Sequence, residues 1–341
     1  MSDFDTFLAA PADERRGAFL AAAERLNTSE INVEKDFWVC WTLDALFNRV
    51  PQTPRLLFKG GTSLSKGYGL ISRFSEDIDV TVFRDDLGEG ASVEALQAMT
   101  GKRRKAKLAA IKAACQAYIA GELATQLKAL LAEAAAKAGI EGAQFRIDLD
   151  EEDPDHQTLL FWYPSVTAQP QGASYIRPAV KIESGAKSAL DPNQPVTVRP
   201  YVDDELPELD LSIANVRTVD PKRTFWDKVI IVHGLRRWFD KRSELRGGGQ
   251  RVSRHYYDLH LLLQSDIGVA AVGELGLGAD CVAHARMFFN SPGLDLASAA
   301  PGTFALTPSP DMLTALAGDY GAMSGMIFGD APTFDAVMAS I

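Results

Sequence analysis

Three short stretches carry residue types that could do chemistry together. The first is Lys59-Gly60-Gly61-Thr62-Ser63-Leu64-Ser65-Lys66. Its glycine pair removes side chains where a backbone must approach something closely. Thr62 and Ser63 add hydroxyls at the start of an expected short helix, whose free N–H groups favour an anion such as phosphate. The second is Arg73-Phe74-Ser75-Glu76-Asp77-Ile78-Asp79-Val80-Thr81-Val82-Phe83. Alternation from Asp77 onward predicts a strand with Asp77, Asp79 and Thr81 on one face and Ile78, Val80 and Val82 on the other. The two carboxylates then point the same way, roughly 6–7 Å apart. Like charges so held need a proton or a cation between them. Mg²⁺ suits the position, because it takes one or two carboxylates together with phosphate oxygens and water. A phosphate cradle beside a metal-binding carboxylate pair is what nucleotidyl transfer requires. The alternative is a glycine turn followed by an exposed acidic strand edge.

The third stretch is Pro178-Ala179-Val180-Lys181-Ile182-Glu183-Ser184. Alternation places Lys181 and Glu183 together, opposite Val180 and Ile182. If this strand lies beside 77–83, Glu183 adds a third carboxylate near the metal and Lys181 a point charge for the triphosphate. Otherwise the two form a cross-strand ion pair.

These residues need elements to hold them. Leu56-Leu57-Phe58 reads as a strand ahead of the glycine pair. Residues 13–26 and 32–48 read as helices, with Thr28, Ser29 and Asn32 as capping candidates between them. Trp38 and Trp41 are expected in the core. An alanine-rich helical stretch spans roughly 92–138 with a break near Gly121. Segments 143–149, 157–163, 175–183, 194–201 and 213–219 have strand character. Composition shifts at Pro221, after which helices dominate, including 311–317 and 334–341. The expectation is an α+β fold: a mixed sheet flanked by helices over residues 1–220, and a helical C-terminal domain over 221–341.

With 341 residues, 46% hydrophobic and 23% charged, the composition is that of an ordinary globular protein. Cys40, Cys115 and Cys281 form neither a metal spacing nor a disulfide framework, which fits a reducing cytoplasm. No run is long enough for a membrane span, and the N-terminus has no export pattern. A net charge of −10 argues against indiscriminate nucleic-acid binding. Two basic clusters, 102–107 and 236–254, are candidate contacts for a structured RNA. The latter spans Gly247-Gly248-Gly249, expected to be a mobile loop. The five histidines have no zinc-ligand spacing and read as ordinary surface or core residues. Asp150 through Asp155 reads as an acidic surface turn.

The motifs resemble the polymerase-β-like nucleotidyltransferase superfamily and, within it, the AbiEii/AbiGii toxin family. That family's Gly-Gly-Thr-Ser-Leu and Arg-Phe-Ser-Glu-Asp-Ile-Asp blocks stand here at 60–64 and 73–79. Val33-Glu34-Lys35-Asp36-Phe37 is similar to its usual lead-in. The resemblance implies that Lys181 and Glu183 belong to the active site. It also implies that Asp227-Lys228, standing where the family has Glu-Lys, brings Lys228 to nucleotide phosphate or sugar, unless the two form a local ion pair. Arg254-His255-Tyr256-Tyr257-Asp258-Leu259 resembles an Arg-Asp-x-x-Asp-Leu motif with His255 in place of the first aspartate. Arg254 and Asp258 are one helical turn apart, able to pair and to brace the helical lobe against the active site.

The expected enzyme is therefore an Mg²⁺-dependent nucleotidyltransferase that moves a nucleoside monophosphate from a nucleoside triphosphate to an acceptor hydroxyl. Asp77 and Asp79 bind the metal, with Glu183 as a third candidate ligand. Gly60, Gly61, Thr62 and Ser63 hold the β/γ-phosphates, helped by Lys66 and Lys181. By resemblance it is the toxin of a toxin–antitoxin or phage-defence pair, acting on the acceptor end of transfer RNA, with a cognate antitoxin as partner. A transferase acting on a small molecule or a protein, and a non-catalytic nucleotide- or partner-binding module, are the other readings.

Overall fold

Asp77–Val82 lies in the middle of a seven-stranded mixed sheet, and the rest of that sheet explains why its alternation is so strict. The structure, a computed structural model, describes residues 2–167, 177–249 and 251–341. The strands are β1 (Leu56–Lys59), β2 (Asp77–Val82), β3 (Arg146–Leu149), β4 (Thr158–Trp162), β5 (Ala179–Gly185), β6 (Asn193–Val198) and β7 (Ile213–Val219). Their order is β3-β4-β5-β2-β1-β7-β6. β2 runs antiparallel to β1 and parallel to β5, so it has a neighbour on both sides. Ile78, Val80 and Val82 are wholly buried on one face, while Asp77 and Asp79 face a cleft on the other. Each expected strand is present with slightly different ends. Residues 175 and 176 of the expected 175–183 strand lie outside the described residues.

The helices are α1 (Asp3–Ala9), α2 (Ala12–Leu26), α3 (Glu30–Asp44), α4 (Gly60–Thr62), α5 (Val93–Ala98), α6 (Gly101–Tyr118), α7 (Ala124–Ala138), α8 (Pro221–Arg242), α9 (Arg254–Leu263), α10 (Asp266–Gly273), α11 (Leu275–Phe288), α12 (Pro310–Met323) and α13 (Phe334–Ser340). Ser29 caps α3 by accepting from the Asn32 N–H, which is why that helix starts there. The break expected near Gly121 is a π-helical turn, Ile119–Leu123, between α6 and α7. No single helix is long and apolar enough to cross a membrane.

Buried apolar side chains gather into two large clusters. One lies between the sheet and the N-terminal helices, around Trp38, Trp41 and Phe161; both tryptophans are core residues, as expected. The other is built mainly by α8, α9, α11 and α12 and also takes in Leu64 and Ile71. The loop before β2 joins the two. The Phe74 N–H donates to the Met326 carbonyl (2.7 Å) and the Phe328 N–H to the Ser72 carbonyl (2.9 Å). Between these bonds, Arg73 makes a bidentate pair with Asp258 of α9, Nε to Oδ1 at 2.8 Å and Nη2 to Oδ2 at 2.9 Å. Lys228 of α8 adds a third bond to Oδ2 at 2.6 Å.

Asp258 is fully buried. Burial opposes its charge, but Arg73 and Lys228 overcome that and hold its carboxyl well below the usual range. Asp258 ties α9 to the loop before β2. Its partner is Arg73 and not Arg254, because a planar bidentate fit outcompetes a one-turn helical pair. With a depressed pKa, the stabilisation is present above the ordinary carboxylate range and is lost only as pH falls through the folded-state value. Asp258→Ala leaves two buried cations without a counter-charge and should cost about 3–5 kcal/mol at neutral pH, read as a lower midpoint in urea unfolding.

Candidate active site

The register of three strands builds one wall of the cleft. Asp79 stands opposite Lys59 of β1 and Glu183 of β5, and Asp77 opposite Lys181. β5 does lie beside β2, so the condition set by the sequence is met and Glu183 lies beside the aspartates. Lys59 Nζ lies 3.5 Å from Asp79 Oδ1. Glu183 Oε1 accepts from Lys181 Nζ at 3.1 Å, and Lys181 also reaches Asp150 at 3.4 Å. Lys181 is therefore held between two carboxylates beside the aspartates, and its side chain remains partly exposed.

Gly60 and Gly61 close over this wall. Gly60 has φ +80°, a left-handed conformation that glycine adopts freely, and a Cβ there would collide with the Asp79 carboxylate. A Cβ on Gly61 would strike the Arg73 guanidinium. Both glycines line the cleft, but the two hydroxyls do not. Thr62 Oγ1 donates to the Asp77 carbonyl and lies 2.6 Å from Ser75 Oγ. Ser63 Oγ donates to the Gly60 carbonyl at 2.9 Å. Both side chains are buried and staple the glycine turn to β2.

Lys66 is turned away from the cleft. A π-helical turn, Ser63–Gly67, follows α4 and re-aims its side chains. Lys66 Nζ meets Asp36 at 2.6 Å, lies 3.3 Å from the centre of the Tyr201 ring and donates to the Arg199 carbonyl at 2.9 Å. It does not line the cleft. Its neighbours on α3 explain the charged lead-in motif. Glu34 accepts from the Val166 N–H (2.7 Å) and the Ser165 hydroxyl (2.6 Å), Lys35 donates to Glu76 (2.6 Å), and Asp36 grips Lys66. These consecutive buried charges fix the glycine turn and the start of β2 from behind.

A basic wall faces the acidic one. Arg73, Lys228 and Arg254 all line the cavity, with Asp258 as the buried carboxylate among them. Arg254 has no ion-pair partner among the described residues. Asp227 also lines the cleft; burial pushes its carboxyl up, against the pull of Arg223, Lys59 and Lys228. Lys228 is both cavity-lining and paired, but with Asp258 and not locally. Burial lowers its pKa, an effect that Asp258 opposes.

Sequence reading missed several of these groups. Lys59, Arg246, His255 and His284 line the cavity. Arg251 bridges Glu76 (3.0 Å) and Asp77 (3.7 Å), while its own N–H is anchored by Asp319 of α12 at 2.6 Å. The expected 236–254 basic cluster is not one surface. Arg236 and Arg237 reach Asp240, Arg242 stacks on Trp238, and Arg246, Arg251 and Arg254 turn toward the site. In the 102–107 cluster, Lys107 pairs with Glu89, while Lys102, Arg103 and Lys105 are exposed and have no ion-pair partner among the described residues.

The cavity holds about 470 Å³, within the range of small-molecule sites. A glycine turn over paired aspartates thus faces buried cations across a cleft of this size. The family model described as "Nucleotidyl transferase AbiEii toxin, Type IV TA system" matches residues 41–340, and the chain belongs to this family of toxin nucleotidyltransferases. Among solved structures it is similar to MenT4, a nucleotidyltransferase toxin from Mycobacterium tuberculosis H37Rv. The identity is 15%, the TM-score 0.47, and the match covers 94% of this chain and 86% of that one. No curated protein matches the sequence.

Asp77 records the electrostatic state of the acidic wall. Burial, then Glu76 and Glu183, push its carboxyl up to about 6. A raised carboxylate is easier to ionise in the unfolded chain, so its penalty to stability appears as pH rises from about 4 through about 6 and persists above. In a chelator at pH 8, Asp77→Asn should relieve ~2–3 kcal/mol and raise the melting temperature, an advantage that shrinks at pH 4–5. Lys66→Met should do the opposite. It strands the Asp36 carboxylate and should lower stability by about 3–5 kcal/mol, while nucleotide affinity of the folded protein, read by titration calorimetry, stays unchanged.

Proposed function

We propose that this enzyme transfers a nucleoside monophosphate from a nucleoside triphosphate to an acceptor hydroxyl, releasing pyrophosphate, with Mg²⁺ as its metal. The observation that carries this is the strand register that puts Asp77, Asp79 and Glu183 on one wall beneath a glycine turn with no side chains in the way. The donor set fits the ion. Among the described residues no three acidic, histidine or cysteine groups close into a cage by themselves. Mg²⁺ in such enzymes is shared between one or two carboxylates, phosphate oxygens and water. Asp77 and Asp79 would hold it, with Glu183 completing the acidic wall. Bound there, it supplies charge neutralisation and alignment of the reacting oxygens.

The chain's own groups do the remaining work. Lys228, Arg254 and Lys59 offer cations to the polyphosphate and leaving pyrophosphate, with Lys181 beside Asp77 on the acidic wall. Gly60 and Gly61 let the backbone approach the phosphates. Arg73 holds the glycine turn against α9, and Arg251 offsets the charge of Glu76 and Asp77. Residues 1–220 and 221–341 act as the two lobes of the cleft.

The acceptor we infer is RNA, at the acceptor end of transfer RNA. The unpaired Lys102, Arg103 and Lys105, on an otherwise acidic chain, favour a local polyanion contact over general coating. As a toxin of this family the enzyme would work in the cytoplasm against its host's translation or an infecting phage, held in check by a cognate antitoxin. Incubation with each labelled nucleoside triphosphate, Mg²⁺ and total RNA tests this. Label should enter transfer RNA with the wild type, and Asp79→Ala should lower incorporation by roughly 10³-fold or more. Label in protein or a small molecule instead would move the acceptor; equal labelling by the variant would end the reading.

A further inference from the structure

The acidic wall and the C-terminal part of the chain meet through a second contact, separate from the Arg73–Asp258 pair. Arg251 Nη2 lies 3.0 Å from Glu76 Oε1, and its Nη1 lies 3.7 Å from Asp77 Oδ2. Lys35 pins the other oxygen of Glu76 at 2.6 Å. The contact with Glu76 is a charge-assisted hydrogen bond; the one with Asp77 is too long to be a hydrogen bond. Asp77 therefore feels the guanidinium as a nearby positive charge without being bonded to it.

Asp319 of α12 sets where Arg251 stands. Its Oδ1 accepts from the Arg251 N–H, and its Oδ2 from the Ser253 N–H and hydroxyl, each at 2.6 Å. Ser253 is fully buried, and Arg251 has φ +59°, in the left-handed region that residues other than glycine avoid. A backbone held there needs bonds to keep it, and the Asp319 carboxylate supplies them. The Arg251 side chain is 37% exposed, so core packing does not account for this construction. Among the described residues, no other side chain beyond residue 220 forms an ion pair with Glu76, Asp77, Asp79 or Glu183.

The consequence concerns the ion that Asp77 and Asp79 would hold. A bare divalent ion arriving there meets a guanidinium 3.7 Å from one of its donors, and like charges at that range repel. An ion that arrives on a polyphosphate brings negative oxygens with it. Those oxygens offset the repulsion, and a planar guanidinium is well matched to bind them.

We propose that Arg251, positioned by Asp319, is a charge filter that disfavours the bare metal ion and favours the metal–polyphosphate complex, so that metal and nucleotide enter together. The inference rests on the nucleotidyl-transfer reading above and adds the order of binding to it. Asp319 is a positioning residue that acts through Arg251.

The test uses the full-length protein without RNA, with Mn²⁺ as a countable substitute for Mg²⁺. Electron paramagnetic resonance counts unbound Mn²⁺ during titration, and calorimetry measures binding of the preformed Mn²⁺–tripolyphosphate complex. Arg251→Gln should tighten bare Mn²⁺ roughly ten-fold, the scale on which a charge at this distance shifts a carboxylate. It should leave affinity for the tripolyphosphate complex unchanged or weaker. Arg251→Lys keeps the charge and should stay within about three-fold of the wild type for the bare ion, a rescue that a merely structural side chain would not show. Asp319→Asn loosens Arg251 without altering it, and should move bare-ion affinity part of the way toward that of Arg251→Gln. Bare Mn²⁺ bound no more tightly by Arg251→Gln than by the wild type would overturn the filter, and so would an equal gain for ion and complex. Wild-type affinities in Asp319→Asn would overturn the role of Asp319. A wild type that binds Mn²⁺ neither alone nor with tripolyphosphate would instead sink the transferase reading on which the inference stands.

Discussion

Three carboxylates held side by side repel one another, and the sheet gives them no way to move apart. Asp77 and Asp79 are locked on one face of β2 by the burial of Ile78 and Val80 on the other, because a one-residue slip would exchange the faces. Glu183 is fixed opposite Asp79 by the same ladder that pairs Ile78 with Ile182. The surrounding cations offset this only in part. Lys59 approaches Asp79 at 3.5 Å, longer than a strong charge-assisted bond, and Arg251 is nearer to Glu76 than to Asp77. Lys181 is shared between Glu183 and Asp150. The protein therefore maintains a local excess of negative charge that its fold must stabilise from elsewhere.

The opposite wall repeats the situation with the sign reversed. Asp258 is a single carboxylate bonded by Arg73 and Lys228, and Arg254 adds a further cation on the same side. Each wall alone is electrostatically costly. The two cannot cancel each other by direct contact, since a cavity of about 470 Å³ separates them. A ligand that carries negative charge toward Arg254 and Lys228, and a cation toward Asp77 and Asp79, relieves both at once. The separated charges are already in place in the ligand-free fold, a form of preorganisation that lowers the cost of binding such a ligand.

What was legible in the sequence follows from which interactions are local. The alternation in 77–83 and 178–184 specified which residues share a face, and the sheet kept that pattern because one face had to be buried. Their adjacency could be stated only as a condition, since strand order is a long-range property. The pairing of Lys66 with Asp36 was not legible, because Asp36 sits on α3 and a π-helical turn rotates Lys66 away from the cleft. Nor does sequence composition reveal that the Thr62 and Ser63 hydroxyls bond to nearby backbone. Arg254 and Asp258 have the right spacing to pair, but Arg73 offers Asp258 a better geometry. His284 gave no signal at all; only its burial in the cavity wall and its stack on Phe288 distinguish it from any core histidine.

Helix α8 ties these parts into one device. It starts where β7 ends, with Asp220 capping its N-terminus through the Lys222 N–H and Pro221 in the first turn. Tyr68, just past the glycine turn, donates to the Val219 carbonyl at 2.9 Å, so the helix start and the glycine turn are referenced to the same strand end. Asp227 and Lys228 therefore stand at a fixed height above β1 and β2. Further along, Gly234 lets Leu294 approach so closely that a Cβ would sit 3.2 Å from its nearest methyl, which draws the following loop in against the helix. Glycine inside a helix costs about 1 kcal/mol relative to alanine, a cost that the close approach of Leu294 explains. One rigid element thus sets the distance from the acidic wall to the cations.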